Sequence, residues 1–202
     1  SITNPKARLG PWFQRFAEPH GPARLSTSDV VSMSQTLKPH SLAKIADYIR
    51  NPRPNRFGID VAYRDIRIDI PRIKQRLAEI ESLDSPEEVP QNLLSLDYLK
   101  MLFRYQVAYG MMIQFATILS YILRAFNPPN AQLNELHETS LFFADELVSL
   151  ARKTAPFRPL GASFIVQALC AAWAATEDSA RQAEIEVVLK DYETDLPNAN
   201  YV

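Results

Sequence analysis

NLLSLDYLKMLFRYQVAYGMMIQFATILSYILRAF, residues 92–126, decides how this chain folds. The stretch has no proline, and its apolar residues fall on nearly every face of a helix rather than along one stripe. As a single helix it spans about 50 Å at 1.5 Å per residue. Pro128 and Pro129 end it, because proline lacks the backbone donor and disfavours helix in the residue before it. Residues 105–123, between Arg104 and Arg124, carry no charge, so a membrane span has to be weighed. Against it stand Gln106, Gln114, Thr117 and Ser120, and tyrosines at 105, 109 and 121 that are spread along the run rather than gathered at its ends. A helix apolar all round is equally the buried centre of a bundle. The expectation is an all-α fold with no membrane contact: a helical bundle around a long central apolar helix.

Upstream, a second pattern supports this reading. Ile59, Tyr63, Ile66, Ile70, Ile73, Leu77 and Ile80 are spaced alternately by four and three, which places all seven on one helical stripe. Pro71 interrupts it and is expected to kink or restart the helix. Residues 64–70 partly alternate and offer a rival strand. A stripe of this kind serves a coiled-coil homodimer or packing inside one bundle. Before it, seven of the 15 prolines fall ahead of residue 55, so only short helices are expected: one opened by Pro11 with Trp12, Phe13 and Phe16, one at 28–36 and one at 41–50. Residues 51–55 read as a loop. The domain reading is a Pro-rich basic extension over 1–57 and a helical bundle over 58–202. Ser85-Pro86-Glu87-Glu88 is a helix-start signature, which Pro90 limits to one turn.

Downstream, three amphipathic segments follow. Asn130 is placed to cap the first, which runs to about residue 155. Pro159 opens the second, to about 176. Asp178 or Ser179 caps the third, from 180 to about 196.

Several chemistries are excluded or unsupported. The five glycines, Gly10, Gly21, Gly58, Gly110 and Gly161, are too far apart for a phosphate-cradling loop, which removes P-loop and dinucleotide motifs. A helical zinc pair needs a histidine four residues after His137, where Leu141 stands, and a di-iron motif needs Glu at Asn134. Ser163 follows Gly161 as in a nucleophile elbow, but the later glycine is replaced by Ile165. Cys170 sits in an apolar run and reads as an inert thiol, and a lone cysteine fits a reducing, intracellular compartment. The acid pairs Glu87-Glu88, Asp145-Glu146 and Glu177-Asp178 diverge around their helices. No catalytic or metal-binding set and no cofactor is expected, and the chain does not read as an enzyme.

Net charge is -1 but unevenly spread. Residues 1–76 hold 14 Lys/Arg against 6 Asp/Glu, and 77–202 hold 8 against 17. Either the halves complement each other inside one fold, or the run Arg50, Arg53, Arg56, Arg64, Arg67, Arg72, Lys74, Arg76 presents a nucleic-acid or partner face. Asp60, Asp65 and Asp69 interrupt that run. An effector pocket, if present, belongs beside the long helix, where Tyr105, Tyr109, Met112 and Gln114 combine bulk with polar handles.

The C-terminal half carries a resemblance. Phe157-Arg158-Pro159-Leu160-Gly161-Ala162-Ser163, an apolar helix ending Ala171-Ala172-Trp173-Ala174-Ala175-Thr176-Glu177-Asp178, and an amphipathic helix ending Asp191-Tyr192 resemble the regulatory regions of fungal zinc-cluster transcription factors. It covers residues 95–202. The resemblance implies a regulatory domain in the nucleus that acts through a protein partner or small-molecule effector. It implies zinc and DNA contact only through a six-cysteine module absent from this sequence. It also marks Arg158, Pro159, Leu160 and Gly161 as a helix-start turn and Trp173 as a core anchor. A helical interaction or oligomerisation module unrelated to transcription is the alternative.

Overall fold

A computed structural model describes residues 34–82, 96–159 and 162–195. In chain order the helices are α1 Pro39–Arg50, α2 Arg56–Ser82, α3 Leu96–Arg124 and α4 Asn130–Thr154. A short 3-10 turn, Ala155–Phe157, follows, then α5 Phe164–Ala175 and α6 Ser179–Glu193. The described residues contain no strand, so residues 64–70 are helix despite their partial alternation. The fold is all-α.

The uncharged run is the hub. α3 packs against α1, α2, α4 and α5, while α6 lies on α4 and α5. From Met101 to Ser120 no residue is exposed. The helix is long and apolar enough to cross a membrane, and here its faces are taken up by four neighbours. Ser120, polar inside this core, is satisfied across the interface by Ser140 at 3.0 Å. Asn127, in the left-handed region at φ 49°, turns the chain after α3, and Pro128-Pro129 prevents the helix from resuming.

α2 carries the alternating stripe, and all seven of its residues are buried. They face α1 and α3, so the stripe is spent inside the bundle and is not available for a coiled-coil dimer. The helix also runs unbroken through Pro71 rather than restarting there. Burying Val- to Phe-sized side chains contributes about 1.5–3 kcal/mol each. Seven of them, four before the proline and three after, outweigh the roughly 3 kcal/mol that proline costs in a helix interior.

The expected division at residue 57 does not appear. α2 begins at Arg56, and Leu37 and Ile45 share one core with Ile59 and Met112. Residues 34–38 form a turn, not the end of a helix, because their polar side chains are engaged elsewhere. Asp69, buried on α2, accepts hydrogen bonds from the hydroxyls of Ser34 at 2.8 Å and Thr36 at 2.9 Å and from the Thr36 amide at 3.2 Å. α1 then starts at Pro39, two residues earlier than expected, with proline in its first turn. The loop at 51–55 is a turn, as expected. The expected helix at Trp12, Phe13 and Phe16, the beginning of 28–36 and the turn at Ser85-Glu88 lie outside the described residues.

Two of the expected helix starts shift. Asn130 makes no capping bond; it is already the first residue of α4, behind Pro129. α5 begins at Phe164 rather than at Pro159, with Ala162 and Ser163 still in the turn. Asp178 caps α6 as expected, accepting from the Arg181 amide at 2.8 Å.

Candidate functional site

Tyr105, Tyr109 and Met112 recur every three or four residues on α3, share one face and are buried. Gln114 is two residues past Met112, about 200° round the helix, and is only half-buried. The expected pocket quartet is therefore a core trio with one residue set apart. The Tyr109 hydroxyl donates to Glu146 of α4, whose other oxygen accepts from Lys74 Nζ of α2 at 2.7 Å. Burial, and then the hydrogen bond to Glu146, push the Tyr109 phenol far above its usual range. It stays protonated and acts as a structural donor linking three helices.

Two open grooves lie elsewhere, and none of the four residues lines either. One, of about 350 Å³, runs between α2 and α4 past Arg67, Ile70, Pro71, Thr139 and Phe142. The other, of about 440 Å³, lies at the start of α2 and is lined by Arg56, Phe57, Asp60, Arg64, Leu123, Pro128 and Gln132.

The residues that carry the family resemblance form a clasp. Arg158 bonds Asp191 and Asp195 and sits 4.4 Å over the Tyr192 ring. Tyr192 in turn donates to the Ala151 carbonyl at 2.8 Å. This clasp pins the end of α6 to the turn before α5. Pro159 is exposed beside it, and Leu160 and Gly161 lie outside the described residues. Trp173 is not the expected core anchor. It is 40% exposed, with its indole N–H donating to Glu186 at 3.0 Å. A large amphipathic ring at the α5–α6 seam keeps its polar edge in reach of a partner.

Sequence patterns gave no sign of a buried cation, but Arg124 is one. Its side chain is 8% exposed, donates to the Ala175 carbonyl and covers the end of α5. It also approaches His137 Nδ1 at 3.4 Å, a contact in which only the imidazole can accept. Cys170 is half-buried, and burial followed by the field of Glu193 raises its thiol pKa, which disfavours the nucleophilic thiolate. Among the described residues no three His, Cys, Asp or Glu side chains gather as metal ligands.

The basic run is largely neutralised. Arg64 pairs with Asp60, Arg67 with Glu135, Arg72 with Asp69, Lys74 with Glu146 and Arg76 with Glu79. Two of these pairs join the basic α2 to the acidic α4, so the halves of the chain do complement each other. Arg50, Arg53 and Arg56 make no ion pair, and all three are exposed.

No protein-family model matches the chain, and no curated protein or solved structure does so either.

Proposed function

We propose that this chain is the regulatory domain of a zinc-cluster transcription factor of the fungal type, acting in the nucleus by binding rather than catalysis. The observation that carries the reading is the clasp. Arg158, Asp191 and Tyr192, which lie in separate parts of the resembling sequence, meet at one point and lock the last helix to the bundle. Zinc and DNA contact belong to the separate six-cysteine module, and no membrane takes part. A protein partner fits better than a small-molecule effector, because Tyr105, Tyr109 and Met112 fill the core and the grooves are open to solvent.

The coding sequence upstream of Ser1 tests this directly. Six closely spaced cysteines among lysines and arginines are expected there. A complete gene without them defeats the reading and leaves an interaction module with no link to transcription.

A further inference from the structure

We infer that the groove at the start of α2 is a docking site for an acidic peptide segment of another protein, one that carries a large apolar side chain among its carboxylates. Phe57 precedes Ile59 by two residues and is turned about 200° from the buried stripe, so it points outward. It is 81% exposed, the most exposed large apolar side chain among the described residues. Beside it the groove offers Leu123 and Pro128 as an apolar lining and about 440 Å³ of space. Arg56 is on the groove wall, Arg53 is three residues before it, and Arg50 ends α1. These are the cations of the basic run that the fold leaves without a carboxylate.

The turn that presents them is held in place. Asn55 Nδ2 donates to the Asn51 carbonyl at 2.9 Å, and Gly58 leaves room for the Tyr48 ring, which a Cβ there would meet at 2.7 Å. Unpaired arginines around an apolar slot complement alternating acid and apolar groups. A nucleic acid fits less well, since Asp60 lines the same groove and only three cations are free, whereas duplex binding rests on many phosphate contacts.

The chain cannot fill the site itself with its acidic stretch Asp84-Ser85-Pro86-Glu87-Glu88. That stretch joins the far end of α2 to α3. Thirteen residues anchored at both ends reach out about 24 Å, against about 40 Å for the length of α2.

The test is fluorescence anisotropy with a labelled dodecapeptide that alternates Asp-Glu and Phe-Leu pairs. Controls are the same peptide with its acids amidated, the same peptide with Phe and Leu replaced by Ser, and a labelled DNA duplex. The full chain should bind the acidic-apolar peptide saturably, less tightly as salt rises. Both peptide controls and the variants Phe57→Ala and Arg53→Glu should weaken binding about tenfold or more, with Lys190→Glu unchanged. Because Phe57 and Arg53 are exposed, both variants should keep the wild-type circular dichroism spectrum. The inference is overturned by absence of saturable binding at about 1 mM peptide. Equal binding by the two variants, or tighter binding of the duplex, also overturns it. Self-association of the wild type that Phe57→Ala abolishes assigns the groove to a second copy and overturns it too.

Discussion

At the scale of single residues, the packing of α3 depends on what is missing from Gly110. A Cβ there would meet the Phe164 ring at 2.7 Å and Leu150 at 3.2 Å, and the Phe164 ring also stands edge-on to Phe103 at 6.3 Å. Alanine in a helix gains about 1 kcal/mol over glycine, while overpacking a filled core costs about 1–3 kcal/mol. The second effect wins here, because Leu150 and Phe164 press on the same point from two helices. Gly110→Ala should lower unfolding stability by about 1–2 kcal/mol in a urea titration. A variant as stable as wild type would mean that Phe164 has room to move. The glycine looked unremarkable in the sequence, since nothing near residue 110 announces that residues 150 and 164 converge on it.

At the scale of elements, α2 separates what periodicity reveals from what it hides. The stripe from Ile59 to Ile80 marked a helix and its inward face correctly, because a repeat of alternating threes and fours has one geometric reading. Pro71 misleads for a local reason: its missing donor leaves the Arg67 carbonyl without an i+4 partner, but the core contacts on both sides hold the helix together. The penalty is therefore still present in the folded protein. Pro71→Ala should raise stability by about 1–3 kcal/mol, since Pro71 is exposed and its removal opens no cavity. Unchanged or lower stability would show that the bend is needed for α2 to follow α3. Caps follow the same division. Asp178 was legible because a capping side chain acts three residues away, whereas Asn130 failed once Pro129 had taken the flanking position. Trp173 failed because its seam with α6 is a long-range fact. The candidate site was least legible of all. Whether an arginine is free depends on carboxylates such as Glu135 and Glu146, which lie 68 and 72 residues from Arg67 and Lys74.

At the scale of the whole molecule, three buried phenols bind helices to one another, and together they set an alkaline limit on stability. Tyr63 on α2, Tyr109 on α3 and Tyr192 on α6 all have their pKa raised, with burial the leading cause in each case. Below the ordinary tyrosine range near pH 10, folded and unfolded chains both hold these protons, and the phenols add no pH dependence. Above it the unfolded chain releases protons that the folded chain keeps. Stability therefore falls as pH rises from about 10, by up to about 1.4 kcal/mol per pH unit for each phenol still protonated in the fold. Tyr109→Phe separates this contribution from the rest. At neutral pH it should cost about 1.5–3 kcal/mol, the worth of a buried hydrogen bond to the charged Glu146, which keeps only Lys74. Above pH 10 its stability should fall less steeply than that of the wild type, by the contribution of one phenol. Urea titrations at about pH 8 and about pH 10.5 measure both effects. Equal losses between the two pH values in variant and wild type would mean that Tyr109 ionises in place, and that the centre of the bundle is wetter than its packing implies.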